Sequence, residues 1–418
     1  MKGVYAEVIT IGDEILYGQI TDTNTQWLGY ELSLLGIKVI RKSSVGDRYE
    51  EIQTILQEAS QRADLVILTG GLGPTNDDIT KKVLSDFLGQ PLVLDQEALK
   101  DVSGFFLSRG RELTDINRQQ ALVPEGSTIL RNQYGTAPGM WSIREQVVFI
   151  SLPGVPYEMK GIMKDYGLSA IKKHFQTPAI LHRIIRTAGI GESMLAEQIK
   201  AWEDALPSHV SLAYLPSFAS VKLRLTGVHE NRHWLEEEIN RQVELLLPLL
   251  GKYSYASEDI NMEVHIGNLL KAKGKSIALA ESCTGGYAQH LITSVPGSST
   301  YFKGGIVSYS NEIKEKELGV SKALLDQKGA VSLEVAEAMA KGILTKYQTS
   351  YALAITGIAG PDGGSVEKPV GFVCMAFASD SGEVFSRTVQ FGKERDTNIK
   401  ASSAVALNLL RLGIEGKL

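Results

Sequence analysis

The sequence predicts an α/β protein, because short apolar runs that end at glycine alternate with helix-like stretches. This alternation is typical of parallel β–α–β units. Near the start of the chain the runs are "YAEVITIG", "ADLVILTGG" and "EQVVFISLPG". Ligands of such sheets bind at the carboxyl ends of the strands, where these glycines lie. We therefore expect a ligand site there.

The length of 418 residues suits two or three domains of about 150 residues each. We predict an α/β domain over residues 1–176 and a small α+β module over 177–257, with strands at "ILHRIIRTAG", "VSLAYLPS" and "SVKLRLTGV" and a charged helix at "NRHWLEEEINRQVELLLPLL". The module contains no cluster of catalytic residue types, so we expect a connector or dimerisation role.

Residues 258–418 form a second predicted α/β or α+β domain. Its expected strands are "SIALAES", "TYFKGGIVSYS", "SYALAITGIAG", "PVGFVCMAFAS" and "VFSRTVQFG". Its expected helices are "MEVHIGNLLKAKG", "SLEVAEAMAKGILTKY" and "TNIKASSAVALNLLRLG".

Composition excludes several classes of protein. The net charge of −5 and the pI near 5.9 argue against nucleic-acid binding, which usually needs a basic surface. The two cysteines, Cys283 and Cys374, cannot form a disulfide framework and suit a reducing compartment. We see neither a signal peptide nor an apolar run of about 18 residues, and we expect a cytoplasmic protein without a membrane span.

A glycine-rich turn, "LTGGLGPTNDDIT", follows the second apolar run. Gly70, Gly71 and Gly73 would let backbone N–H groups approach an anion, and a helix predicted to begin near Asp77 would add its dipole. Asp77 and Asp78 could hold a divalent ion that bridges phosphate oxygens. They could equally be ordinary acidic residues of a first helical turn.

Two neighbouring segments carry further acids at predicted strand ends. "TIGDEILYGQITDTNTQWL" places Asp13 and Glu14 after the first strand and Asp22 and Asn24 before a helix, and "LPGVPYEM" places Glu158 after the third strand. Together with Thr75 of the glycine-rich turn, these residues could line one pocket.

The segments "GDEILYGQITDTN", "TGGLGPTNDD" and "PGVPYEM" resemble the CinA family. The N-terminal domain of that family is related to the molybdopterin-binding MoaB and MogA proteins. The resemblance implies a three-layer α/β/α sandwich and hydrolysis of ADP-ribose to AMP and ribose 5-phosphate. It implies dependence on a divalent cation (Mg²⁺, Mn²⁺ or Co²⁺), for which Asp13, Asp77 and Asp78 are the candidate ligands.

The C-terminal domain offers a serine nucleophile in "ALAESCTGGYAQHLI". Ser282 ends a predicted strand, and backbone N–H groups near Thr284, Gly285 and Gly286 could form an oxyanion hole. His265 and His290 stand in no obvious Ser-His-Asp order. "GGIVSYSNEIKEKELGV" supplies Tyr309 and Lys314 instead, and a buried lysine can act as a base, although "EIKEKE" also fits a solvated helix face.

Two glycine-containing loops of this domain could bind a phosphate. "ITGIAGPDGGSVEKPVG" carries Thr356 and Lys368, and "FGKERDTNIK" carries Arg395, a natural clamp for a carboxylate or phosphate. Such loops are more often plain connectors. The glycines of the first loop are Gly357, Gly360, Gly363 and Gly364.

The segments "AESCTGG", "VSYSNEIK", "ITGIAGPDGG" and "FGKER" resemble the CinA C-terminal domain, so the resemblance covers nearly the whole chain. It implies hydrolysis of nicotinamide mononucleotide to nicotinate mononucleotide and ammonia, without a cofactor, in the salvage of NAD. Ser282 matches the nucleophile and Lys314 its activating partner, and Tyr309, Thr356 and Arg395 match supporting residues. We also expect a homodimer.

Three classes of function follow. The chain is a two-site hydrolase of pyridine nucleotides, or its first domain only binds a pterin or a nucleotide, or it is a nonenzymatic accessory of competence or recombination. Release of ammonia from nicotinamide mononucleotide separates the first class from the third.

Overall fold

A computed structural model describes residues 3–75, 77–217 and 220–418, which fall into two compact units. The first unit contains the residues up to Leu181 together with Gly227–Glu237, and the second contains His182–Thr226 and Glu238–Leu418. No helix among the described residues is long and apolar enough to cross a bilayer.

The first unit is built on a six-stranded sheet with the order β2-β1-β3-β8-β7-β6. The first four strands in that order are parallel, and β7 and β6 are antiparallel to their neighbours. β4 and β5 form a separate antiparallel pair. The strands are β1 (Val4–Ile11), β2 (Ile37–Val45), β3 (Leu65–Thr69), β4 (Leu92–Leu94), β5 (Leu122–Pro124), β6 (Thr128–Leu130), β7 (Gly139–Arg144) and β8 (Val147–Leu152).

Helices cover both faces of this sheet because consecutive strand residues point to opposite sides. On β1, Ala6 and Val8 lie on the face of the sheet that α2 and α7 cover, whereas Ile9 and Ile11 lie on the face that α3 and α4 cover. This confirms the expected three-layer sandwich. The helices are α1 (Asp13–Leu16), α2 (Thr23–Leu34), α3 (Tyr49–Ser60), α4 (Thr80–Leu88), α5 (Gln96–Leu107), α6 (Asp115–Arg118), α7 (Pro156–Ile162) and α8 (Leu168–His174).

One predicted boundary in this unit is wrong. Helix α4 begins at Thr80, with Ile79 as its N-cap residue, whereas the sequence suggested a start near Asp77. Asp77 and Asp78 lie in the turn before the helix because the Asp78 carboxylate accepts hydrogen bonds from Thr75 instead.

The middle of the chain forms the expected α+β module. Its sheet has the order β10-β11-β9-β12. On β11, Val221, Leu223 and Leu225 are buried in alternation with partly exposed residues, as expected of a strand with one covered face. The elements are β9 (Ala179–Ala188), α9 (Glu192–Asp204), β10 (Val210–Ser217), β11 (Ser220–His229), α10 (Arg232–Leu250) and β12 (Ser254–Ala256).

The C-terminal module has a five-stranded sheet with the order β14-β13-β15-β16-β17. β13 is parallel to β14 and β15, and β16 and β17 are antiparallel to their neighbours. The elements are α11 (Met262–Lys273), β13 (Ile277–Glu281), α12 (Tyr287–Thr293), β14 (Phe302–Val307), α13 (Asn311–Leu318), α14 (Lys322–Lys328), α15 (Leu333–Tyr347), β15 (Tyr351–Gly357), β16 (Phe372–Ser379), β17 (Val384–Gln390) and α16 (Arg395–Glu415).

The two faces of this sheet differ in side-chain size. Large residues such as Leu279 and Phe377 pack with α11, α12 and α16. The opposite face, which packs with α15, is lined mainly by alanines, whose small side chains allow a close approach of the helix backbone. These alanines are Ala278, Ala280, Ala352, Ala354, Ala376 and Ala378.

A buried arginine ties the last helix to the middle module. Arg411 of α16 is fully buried and donates to the backbone carbonyl of Lys252 at 2.9 Å. Its other hydrogen bonds go to the side chains of Asn408 and Glu415. Every charged donor group therefore has an acceptor, as a buried cation requires.

Candidate active sites

A buried serine and a buried lysine form the centre of the C-terminal site. Ser282 directly follows β13, where its N–H donates to Ile355 of the neighbouring strand. Lys314 lies on α13, whose N-terminus is capped by Ser310. The Lys314 Nζ lies 3.0 Å from the Ser282 Oγ and 2.6 Å from the Ser308 carbonyl oxygen. The structure thus brings the predicted nucleophile and base into hydrogen-bond contact.

The environment of Lys314 makes its ammonium group easier to deprotonate than that of an exposed lysine. Only 1% of its surface is exposed, and this burial lowers the pKa of the ammonium to about 8, because a low-dielectric environment destabilises the charged form. A lysine with such a pKa can accept a proton near neutral pH. Lys314 is therefore not part of a solvated helix face.

The neighbouring thiol is poorly suited to nucleophilic attack. Cys283 is buried in the hydrophobic core with Ala288 and Ile355, and burial raises the pKa of its thiol to about 12. The thiolate is the reactive form of cysteine. This environment gives Cys283 a packing role.

The turn after Ser282 corrects the expected set of oxyanion donors. The N–H of Gly285 donates to the Ser282 carbonyl, and the N–H of Gly286 donates to the Glu281 carboxylate. Neither amide is available to a substrate. In the part of the chain that the structure describes, the N–H groups of Cys283 and Thr284 donate to no other residue, so these two are the candidate donors.

Tyr309 and Arg395 meet at the exposed rim of this site. One Arg395 Nη donates to the Tyr309 hydroxyl at 3.0 Å and the other to the Gly360 carbonyl at 2.7 Å. Tyr309 is 62% exposed. A guanidinium held in this way presents its charge to a ligand that enters from solvent.

Other predicted residues of the module hold the loops in place. The Thr356 hydroxyl donates to the Ala330 carbonyl, and the Lys368 ammonium donates to the Lys328 carbonyl. Gly360 has a φ of +90°, and a Cβ on Gly364 would lie 2.7 Å from the Val370 nitrogen. Gly357 is similarly close to Val373, and Gly363 has a φ of +88°. The loop thus needs its glycines for its own conformation.

In the first unit, the ends of three parallel strands converge as predicted. The Gly70 N–H donates to Leu152 at the end of β8. Asn24, at the start of α2, donates from its amide to the Thr69 hydroxyl and to the Gly154 carbonyl. Among the residues that the structure describes, the amide oxygen of Asn24 is buried without a partner. A polar ligand could satisfy this oxygen.

Carboxylates cluster beside these strand ends. The Asp13 N–H donates to Asp47 at 3.1 Å. The pKa of Asp47 is raised, first by burial and then by the charges of Glu14, Asp13 and Asp77. A cation would relieve this repulsion.

Asp47 was not predicted, although "VGDR" after β2 repeats the strand-Gly-Asp pattern of "IGDE" after β1. The two segments lie side by side because β1 and β2 are parallel neighbours, and the Gly12 N–H donates to Val45.

The remaining predicted residues of this unit have internal partners. Asp78 accepts from the backbone N–H and the hydroxyl of Thr75. A Cβ on Gly71 would lie 2.1 Å from the Thr80 hydroxyl, and one on Gly73 would lie 2.3 Å from Asp78. Glu158 accepts from the Asn132 amide at 2.7 Å, and burial raises the pKa of its carboxyl.

No three His, Cys, Asp or Glu residues within 3–75, 77–217 and 220–418 are arranged to hold a metal ion by themselves. Magnesium usually binds through one or two carboxylates together with substrate phosphates and waters. Asp13 and Asp47, which are in hydrogen-bond contact, are the residues that could supply such carboxylates. The three metal ligands proposed from the sequence stay a prediction.

Comparisons with known proteins match both the first and the last part of the chain. Residues 7–173 match the family model of a probable molybdopterin binding domain, and residues 259–414 match the CinA C-terminal domain. A CinA-like protein of Cytophaga hutchinsonii is 51% identical over 98% of this chain and 97% of its own. The chain belongs to the CinA family.

Other CinA proteins extend this relationship. A CinA-like protein of Flavobacterium psychrophilum is 43% identical over 97% of both chains. The crystal structure of CinA from Thermoplasma acidophilum, described as a protein of unknown function, is 35% identical over 41% of this chain and 98% of its own, with a TM-score of 0.37.

The middle module matches the damage-inducible protein CinA KH domain over residues 182–256, an assignment that the sequence analysis did not make. Many KH domains clamp an RNA backbone with a Gly-x-x-Gly loop. In this CinA module the glycines are Gly189, Gly191, Gly227 and Gly251, and none of them has that spacing. The expectation that nucleic acid is not a partner stays a prediction.

Proposed function

We propose that this CinA protein hydrolyses the amide of nicotinamide mononucleotide, with Ser282 as the nucleophile and Lys314 as the general base. The supporting observation is the 3.0 Å contact between the serine Oγ and a buried lysine whose pKa is lowered to about 8. The choice of substrate rests on the family resemblance. The test is release of ammonia and nicotinate mononucleotide by the purified full-length chain.

In the proposed reaction, Lys314 accepts the Ser282 proton while the Oγ attacks the carboxamide carbon. The N–H groups of Cys283 and Thr284 stabilise the oxyanion. The protonated Lys314 then donates its proton to the leaving nitrogen, so that ammonia departs and an acyl-enzyme remains. Water, deprotonated by Lys314, then attacks the ester, the bond between the acyl carbon and the Ser282 Oγ breaks, and the Oγ takes the proton back from Lys314 as the nicotinate product leaves.

The exposed rim suits the ionic part of a mononucleotide. The Arg395 guanidinium, held by Tyr309 and the Gly360 carbonyl, can pair with the phosphate by charge-assisted hydrogen bonds. Lys368 is tied to the Lys328 carbonyl, so we assign the main phosphate contact to Arg395.

The amidase is expected to gain activity as the pH rises through about 8. Lys314 must be neutral to accept the proton, and with a pKa lowered to about 8 only about a tenth of the molecules are neutral at pH 7. We therefore expect kcat/KM to rise about tenfold for each pH unit below 8 and to level off above it. A profile that is flat from pH 6 to 9 would contradict the role of Lys314.

Cys283→Ala is expected to leave the amidase within about threefold of the unchanged protein. The Cys283 side chain packs in the core and its thiol is protonated, so the substitution removes packing contacts only. We expect it to lower the free energy of unfolding by about 1 kcal/mol. Thermal unfolding and steady-state kinetics measure the two effects. Loss of turnover in Cys283→Ala, with Ser282→Ala active, would reverse the assignment.

As a second function, we propose that the first unit cleaves ADP-ribose to AMP and ribose 5-phosphate with a divalent cation. The convergence of Asp13, Asp47 and Asp77 beside the Gly70 turn supports this proposal. A cation bound there would neutralise charge on the phosphates during hydrolysis. Hydrolysis assayed with Mg²⁺, Mn²⁺ and Co²⁺ tests it, and binding without cleavage would make this unit a binding module.

The cytoplasmic location, the homodimer and the role in NAD salvage also remain proposals. Sedimentation of the purified chain tests the dimer. A chain that hydrolyses neither nucleotide would favour the nonenzymatic competence role.

A further inference from the structure

Glu281 is a fully buried carboxylate for which the reaction described above has no use. It is the last residue of β13 and directly precedes Ser282. We infer that Glu281 is a positioning residue for the amidase: it fixes the turn that carries the nucleophile and, through Ser308, the base. This inference rests on the proposed function of the Ser282–Lys314 pair.

The Glu281 carboxylate closes the turn after the nucleophile. One oxygen accepts from the N–H groups of Gly286 and Ala288 at 3.1 and 3.2 Å, and the other accepts from Gln289 at 2.7 Å. These donors belong to the start of α12, where backbone N–H groups have no partner within the helix. The turn from Ser282 to Gly286 is thereby held at both ends.

This closure determines which amides remain for the substrate. Gly286 is held with a φ of +98°, and its N–H points to Glu281 rather than to the Ser282 side. Gly285 donates to the Ser282 carbonyl. The N–H groups of Cys283 and Thr284 are left as the candidate oxyanion donors, so the carboxylate sets the donor geometry.

The main chain of Glu281 reaches the base. Its carbonyl accepts from the Ser308 N–H at 2.7 Å and from the Ser308 hydroxyl at 3.3 Å. The Ser308 carbonyl in turn accepts from the Lys314 Nζ at 2.6 Å. One residue therefore connects the two reacting side chains through short hydrogen bonds.

A glutamine at this position can accept only some of the hydrogen bonds that the Glu281 carboxylate accepts. Its amide has one oxygen, whereas three N–H donors are divided between the two carboxylate oxygens, so an amide NH₂ would face at least one N–H group. We expect Glu281→Gln to reduce kcat for nicotinamide mononucleotide about 10- to 100-fold and to change KM less than threefold. The midpoint of the pH profile is expected to stay in place, because it is set by the burial of Lys314, which this substitution does not change.

The matched control is Glu312→Gln, which removes the same charge from an exposed position in the first turn of α13. It should behave like the unchanged protein. The thermal unfolding of each variant is measured beside its kinetics, to show that the variant is folded. Equal kcat in Glu281→Gln and the unchanged protein would overturn the inference, as would a loss of activity that appears only as raised KM.

If Glu281→Gln does not fold, Gly286→Ala tests the same turn without burying an unpaired group. A side chain at a φ of +98° strains the turn, and we expect the same selective fall in kcat. Unchanged kcat in a folded Gly286→Ala protein would count against the inference.

Labelling of Ser282 by a fluorophosphonate tests the positioning role of Glu281 without depending on the identity of the substrate. If the unchanged protein labels but releases no ammonia, the substrate is wrong, and slower labelling of Glu281→Gln still supports the positioning role. Equal labelling rates overturn it. If the unchanged protein neither labels nor turns over, the nucleophile assignment fails and the inference fails with it.

Discussion

Ser282→Ala and Lys314→Met are each expected to reduce kcat for nicotinamide mononucleotide by at least about three orders of magnitude. The first removes the attacking oxygen. The second removes the base but retains a long unbranched side chain, which suits a site with 1% exposure. Steady-state ammonia release measures both.

The double variant distinguishes a shared step from two separate defects. Because the serine and the lysine act on one proton, we expect Ser282→Ala with Lys314→Met to be no slower than the slower single variant. Lys316→Met, an exposed lysine on the same helix, is the matched control and should retain full activity. Additive losses, or an active Ser282→Ala protein, would contradict the mechanism.

Asp47→Asn and Asp77→Asn are expected to reduce metal-dependent hydrolysis of ADP-ribose by two orders of magnitude or more, because each removes a charge from the proposed cation site. The amidase should be unaffected, since it resides in the other compact unit. Glu125→Gln, an exposed acid of the first unit, is the control. Retained hydrolysis in both aspartate variants would exclude the cation site at this position.

Two substitutions at Asp78 separate its possible roles. The family resemblance implies a metal ligand, and Asp78→Ala should then abolish hydrolysis, but the same result follows if Asp78 only holds Thr75. Asp78→Asn keeps an acceptor for the Thr75 N–H while removing the charge. Activity near the level of the unchanged protein in Asp78→Asn identifies a turn-holding residue, and loss of activity identifies a ligand.

The sequence predicted the main strands and helices of the sheets because their periodicity and glycine stops are strong local signals. The strand ends of the first unit also converge as expected, since parallel strands end at one edge. The contact between Ser282 and Lys314 was predicted only through the family resemblance. Nothing local to "NEIKEKE" reveals that Lys314 is buried.

Two features of the candidate sites were missed. Asp47 joins Asp13 only because β2 lies beside β1, and a search around the glycine-rich turn does not reach it. Gly285 and Gly286 were predicted as donors because a Gly-Gly turn resembles an anion cradle. Their amides are occupied because Glu281, which received no role from the sequence, folds back toward α12.

Helix α16 has one end at the rim of the proposed amidase site and the other at the junction with the KH module. Arg395 is its first residue, and Arg411 follows 16 positions later, about 24 Å along the axis. The Lys252 carbonyl anchors Arg411, so the position of Arg395 at the rim depends on a contact at the far end of the same helix. The KH module is thus a distant support for the proposed phosphate contact, and its removal would release the far end of the helix that carries Arg395.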